Sequence, residues 1–348
     1  MHRSQTDLFS GEHAALERSA VAPAPASPEL QELAGRLPPR LRLGTSSWSF
    51  PGWAGIVYDR RAPESLLARK GLEPYARHPL LRAVGVDRTF YEPLPTLAFR
   101  EYADAVPADF RFVVKADRRL TIPHLAGPDH PFGAPPPPGE REQRVRARGG
   151  IHSANPLFLD AEYARRAVVE PVQSGLGARL AVLLLQFPPL DPAIVGGPGA
   201  FAGRLRQFLA RMPSALTVAV EVRTPALLTA AYRDALEAYG AVHAFTVHPT
   251  MPPLRQQQAQ VSMASGRPLV VRWMLGHGLS YEDARDRYAP FDALVAEDVT
   301  ARRWIADLVG EALDADRDAY VIVNNKAEGS SPLSIVKLAR LLAREASA

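Results

Sequence analysis

The chain has 348 residues, 47% of them hydrophobic, with 41 Lys and Arg against 37 Asp and Glu and no Cys. That size and composition suit one large core, and a net charge of +4 falls well short of a nucleic-acid binder's. The absence of Cys excludes disulfides, thiolate catalysis and Cys-ligated metal. With no signal-like segment in Met1–Gly11, it fits a cytoplasmic protein.

Residues 1–40 read as a flexible, disordered N-terminal tail. Val21–Pro28 interleaves Ala with Pro, which favours extended backbone. A short helix over Pro28–Leu37 follows, closed by Pro38 and Pro39. Near the start, Gln5-Thr6-Asp7-Leu8-Phe9 resembles the clamp-binding peptide of bacterial replication and repair proteins. There Gln anchors one end and Leu-Phe fills an apolar pocket, so Gln5, Leu8 and Phe9 are candidates for binding a sliding clamp. The plain alternative is a tail without function.

The folded domain is expected over 41–348. Eight apolar runs lie in it: Leu41–Phe50, Ala83–Phe90, Phe110–Ala116, Arg179–Pro188, Leu216–Arg223, Ala241–Pro249, Pro268–Leu275 and Ala319–Lys326. Each gap between them holds a helix-length segment. Alternating strands and helices imply parallel βαβ units, and eight of them predict a single-domain α/β fold, the (β/α)₈ TIM barrel. Chemistry in such barrels gathers where the strands end, and most of these runs end in polar or charged residues.

Residues 121–153 interrupt the pattern as a long irregular loop after the third strand. They hold Pro135–Pro138, four arginines (Arg141, Arg144, Arg146, Arg148) and Gly149-Gly150. Such a loop is either a solvated insertion or a lid. Structure is expected to resume as a helix from Asn155-Pro156 to Val169, before Pro171. Later helices are expected over Phe201–Arg211, Pro225–Tyr239, Thr300–Leu313 and Pro332–Leu342, each with an apolar packing face.

The strand ends supply the candidate site. Around the first, Trp48 and neighbouring hydroxyls form either a ligand wall or a structural plug. After the second come Asp87, Thr89 and Tyr91, with Asp87 and Thr89 on one face by the period of two. Asp87 suits a base or metal ligand, or a bond to the Gly44–Ser47 backbone. Lys115 ends the third strand, where an amine needs a carboxylate, a phosphate or a desolvated catalytic role, Schiff-base chemistry included. Gln186 ends the fourth.

In the fifth strand the alternation places Glu221 and Arg223 together inside the barrel. Either Glu221 forms an interior salt bridge with Lys115 or Arg272, or Glu221 is a general base or metal ligand and Arg223 clamps an anion. In the sixth, His243 and His248 are five apart and face opposite ways, with His248 at the strand end. Arg272 on the seventh matches Arg223 in placement. Asn324 and Asn325 end the eighth, and Gly329–Ser331 before the last helix would suit a phosphate.

These segments together resemble the domain-of-unknown-function 72 family of YecE-like bacterial barrels, from Leu41 to about Leu342. The matching pieces are Gly44–Phe50, Thr89-Phe90-Tyr91, Phe110–Lys115, Gln186–Pro189, Glu221-Val222-Arg223 and Asn324-Asn325. The resemblance implies a barrel with its site at the C-terminal mouth, and no particular reaction. The chain departs from the family pattern at Gly85, where relatives carry an acid, at Asp87 in place of Asn, and at Lys326 in place of an acidic residue.

The expectation is therefore an enzyme, hydrolase, isomerase or lyase, acting on a small polar or anionic molecule. Glu221 and Lys115 are the catalytic candidates. Trp48, Thr89, Tyr91, Gln186, Arg223, Arg272, Asn324 and Asn325 are the substrate-binding ones. A divalent metal held by Glu221, Asp87 and His248 is an alternative, as is a non-catalytic, DNA-repair-associated adaptor tethered through Gln5–Phe9.

Overall fold

The structure, a computed structural model, describes residues 20–125, 153–262, 266–276 and 278–345. Eight parallel strands close into a barrel. They are β1 (Leu41–Thr45), β2 (Leu81–Val86), β3 (Arg111–Lys115), β4 (Leu180–Gln186), β5 (Val218–Glu221), β6 (Val242–Val247), β7 (Leu269–Trp273) and β8 (Ala319–Val323). Each pairs with its neighbours in sequence, and β1 closes on β8 with Leu41 opposite Ala319 and Thr45 opposite Val323. The TIM barrel expected from the alternation is thus present, each strand falling within or overlapping its apolar run.

Alternation along the strands divides the core in two. Ala83, Val113, Leu184, Ala219, Ala244, Val270 and Ile322 fill the barrel interior. The other face packs against the helix ring, which buries Phe201, Leu205 and Phe208 from Pro198–Leu209 and Ile335, Leu338 and Leu342 from Ser331–Glu345. Each such side chain contributes on the order of 1.5–3 kcal/mol by leaving water.

Three expectations about connections are corrected. Residues 20–40 do not trail from the domain. Val21 is buried, Ala24 N–H donates to the Val57 carbonyl at 2.9 Å, and Asp59 N–H donates to the Ala22 carbonyl at 2.9 Å. The helix there runs over Pro28–Gly35, capped by Ser27 Oγ, and Arg36 donates to the Ala343 carbonyl of the last helix. Extended Ala-Pro backbone lacks internal hydrogen bonds, which leaves its polar groups available to a neighbouring surface.

Asn155 does not start a helix. Its side chain instead donates to the carbonyls of Arg119 at 2.7 Å and Ile122 at 2.6 Å, beside a short antiparallel pairing of His124–Leu125 with Ser153–Ala154. The helix begins at Ala161 behind the Asp160 cap and passes through Pro171 to Leu176. A π-turn over Arg165–Val169 precedes the proline, which therefore enters in the first turn of a new α segment. Likewise Thr224-Pro225 opens only a short 3₁₀ turn, and the following helix, Ala230–Glu237, is capped by Thr229. The Gln5–Phe9 peptide and residues 126–152 of the long loop lie outside the described residues. Among the described residues no helix is long and apolar enough to cross a membrane.

Candidate functional site at the barrel mouth

The interior face changes character at the C-terminal end. One layer above Val113, Leu184, Ala219, Val270 and Ile322, the same alternation yields Lys115, Gln186, Glu221, Arg272 and Asn324. All five are buried. A buried charge requires partners, and the layer supplies them.

Glu221 is the hub. Its Oε2 accepts from Arg272 Nη1 at 2.7 Å, and its Oε1 accepts from Arg223 Nε at 2.9 Å and from Thr246 Oγ1 at 3.4 Å. Burial alone would raise this carboxyl, but Arg272 and Arg223 outweigh it and hold it down at about 2. A carboxylate with both oxygens engaged, held that low, is a poor proton acceptor at neutral pH. The interior salt bridge expected as one reading of Glu221 is present, with Arg272 and Arg223 as its partners. Arg272 also turns Nη2 to Asp87, at 3.4 Å from each carboxylate oxygen, while its buried Nε has no acceptor among the described residues.

Lys115 has no carboxylate of its own within ion-pair distance among the described residues. Its Nζ lies 3.6 Å from the centroid of the Phe90 ring, and the residue is 8% exposed. Burial lowers its amine to about 7. Asp87 and Glu221 oppose that shift, while Arg272 and Arg223 reinforce it.

The rest of the mouth is polar. Arg223 Nη1 lies 3.3 Å from His248 Nε2, and His248 Nδ1 lies 2.9 Å from Thr250 Oγ1. Burial and then the Arg223 charge depress His248 to about 4, so it is neutral at physiological pH. Asn324 donates to Ser46 Oγ at 2.8 Å and to the Tyr281 hydroxyl at 3.4 Å. Gln186 stands opposite Glu221 in the strand register. Lys326 Nζ sits 4.3 Å from the Tyr281 ring centroid at the rim.

The structure thus brings Lys115, Gln186, Glu221, Arg223, His248, Arg272, Asn324 and Asp87 to one mouth. It places others elsewhere. Thr89 is buried and donates to the Val86 and Lys115 carbonyls, at 2.8 and 2.5 Å. Trp48 is buried against Tyr102 and donates to the Ala68 carbonyl. Asn325 Oδ1 accepts from Trp53 Nε1, Ser331 N and Ser331 Oγ, which makes it a splint for the last helix. The same bonds close the Gly329–Ser331 segment to phosphate, since Ser330 and Ser331 are fully buried. Tyr91 is 65% exposed at the rim, with the Arg118 guanidinium over its ring.

Sequence reasoning missed Thr246, although it precedes His248 by two residues on one strand face. It also missed the Phe90 ring against Lys115 Nζ and the Tyr281 hydroxyl, which comes from the first residue of the helix Tyr281–Tyr288 after β7 and carries no local signal.

The metal alternative does not fit this donor set. Glu221 and His248 already face arginines, Asp87 faces Arg272, and three cationic side chains share the space with two carboxylates. Among the described residues no group of three or more His, Cys, Asp or Glu side chains could hold a metal ion.

A family model described as a protein of unknown function, DUF72, matches residues 42–348. The chain is similar to the solved structure of a DUF72 family protein from Enterococcus faecalis, at 19% identity over 87% of this chain and 95% of that one, with a TM-score of 0.54. It is similar to another from Thermotoga maritima, at 19% identity over 87% of this chain and 98% of that one, with a TM-score of 0.53. At such identity the likeness speaks for the fold alone. No curated protein matches the chain.

Proposed function

The chain belongs to the DUF72 family, and from the geometry of its barrel mouth we propose that it is an enzyme acting on a small anionic molecule, with Lys115 as the reactive group. The observation that carries this reading is the Lys115 amine: buried, without an ion-pair partner among the described residues, and beside two arginines fixed by Glu221. The excess of cationic groups at the mouth favours an anion. Arg223 receives it, since Nε is committed to Glu221 and Nη1 to His248, while Nη2 has no protein partner among the described residues. Glu221 is a positioning residue that orients both guanidinium groups. With its amine near 7, Lys115 accepts and returns a proton at neutral pH.

Amine acylation with acetic anhydride near neutral pH, read by peptide mass spectrometry, tests this. Lys115 should be labelled, and phosphate or lactate should slow its labelling far more than that of exposed Lys70. Labelling of Lys115 that ignores both anions would refute an anion site at the mouth.

A further inference from the structure

Lysine is scarce in this chain. Lys70, Lys115, Lys326 and Lys337 are the only lysines among 41 Lys and Arg residues. At the mouth Lys115 stands with two arginines, where a third guanidinium would supply charge equally well. What an amine adds is nucleophilicity, because it can lose its proton and a guanidinium in a protein cannot. The surroundings suit that use. The Phe90 ring covers Nζ at 3.6 Å and the apolar Val113 layer lies beneath, so the amine has an apolar floor and a polar opening. Burial also keeps a large neutral fraction at neutral pH.

We propose that Lys115 forms an iminium bond with the carbonyl carbon of a small 2-oxo carboxylate, whose carboxylate group binds Arg223. This rests on the reading of the mouth as an anion site. In the step, the neutral Nζ adds to the carbonyl carbon, a C–N bond forms, and the carbonyl π pair moves to oxygen. The oxygen takes up a proton from solvent at the open mouth, and the added nitrogen gives one to Asp87. Asp87 returns that proton to the hydroxyl, which leaves as water while the nitrogen lone pair closes the C=N bond. Amine, carbonyl and one proton from solvent give iminium and water, with no redox change. Asp87 lies beyond ion-pair distance of Nζ, so each transfer passes through one water. It is held loosely, at 3.4 Å from Arg272, its side chain is 32% exposed, and its charge acts on the Lys115 amine more strongly than any other. The iminium then serves as an electron sink for cleavage or proton exchange at the adjoining carbon.

The test is reductive trapping. The full-length protein is incubated with pyruvate or 2-oxobutyrate and sodium cyanoborohydride, then mapped by peptide mass spectrometry. The expected result is a secondary-amine adduct on Lys115, at least tenfold above that on Lys70, Lys326 or Lys337, suppressed by excess lactate. The Lys115→Arg variant, which retains the charge, should bind lactate without forming the adduct. If neither oxo acid labels Lys115 while lactate still protects it from acylation, the iminium is refuted and the anion site stands. If neither lactate nor phosphate gives protection, both readings fall.

Discussion

Arg272 Nη1 lies 2.7 Å from Glu221 Oε2, tying β7 to β5 across the inside of the barrel, with both residues essentially inaccessible to solvent. Thr246 on the intervening β6 adds a third contact to the same carboxylate. Removing one partner of such a pair strands the other in a medium that solvates it poorly. Glu221→Gln should therefore destabilise the fold by about 3–5 kcal/mol, as measured by denaturant unfolding. Glu221→Gln with unchanged stability would mean that the carboxylate is not the anchor of the mouth.

The Lys115 amine makes a second prediction, with a definite sign. Its folded value, about 7, lies below its ordinary value of 10.5, so between them the unfolded chain binds more protons and stability rises with pH. Below about 7 the amine is charged in both states and its burial cost is present in full. The groups facing it are Asp87, Glu221, Arg223 and Arg272. Lys115→Met removes the cost, so its advantage over the natural protein should be largest below pH 7 and shrink towards pH 10.5. Urea unfolding across that range checks it. A difference that does not change with pH would mean that the amine has its ordinary affinity for protons.

Asn324 and Asn325 separate lumen from scaffold. Asn325→Ala leaves the buried Trp53 Nε1–H and Ser331 N–H without acceptors, at about 1–3 kcal/mol for each group. Asn324→Ala removes a lumen amide bonded to Ser46 and Tyr281. The first variant should lower the thermal midpoint by several degrees and keep lactate protection of Lys115. The second should weaken that protection with a smaller loss of stability. The reverse pattern would return Asn325 to the binding site.

These two asparagines also show where sequence reading succeeds and fails. The period of two points Glu221 into the barrel, and Lys115, Gln186 and Arg272, read from the sequence only as polar residues at strand ends, share its interior layer because each still sits within its strand. Thr89 was expected on the Asp87 face by the same rule. But β2 ends at Val86 and a 3₁₀ turn over Arg88–Phe90 follows, so the alternation no longer applies. Asn325 begins another such turn, directly after the extended Asn324. The state of Glu221 was beyond the pattern altogether. It depends on Arg272, 51 positions later, and no local spacing reveals which of two cations a buried carboxylate meets first.

The second strand offers the last prediction, at Gly85, where the family resemblance leads one to expect an acid. A Cβ on Gly85 would lie 3.1 Å from Ser46 Cα, 3.3 Å from the Ser46 carbonyl oxygen and 3.4 Å from Ile322 Cγ2. One on Gly44 would lie 2.1 Å from the Ala83 carbonyl oxygen, far inside van der Waals contact with backbone. Gly85→Ala should thus cost about 1–3 kcal/mol, the range for overpacking a tight core, and Gly44→Ala distinctly more, since no side chain can move aside. Gly85→Glu would add a third carboxylate beside Asp87 and Glu221, with Ser46 and Ile322 leaving it no room. Thermal melts of the three variants should rank Gly85→Ala above both Gly44→Ala and Gly85→Glu. A fully stable Gly85→Glu would show that β1 and β8 can spread to admit the acid.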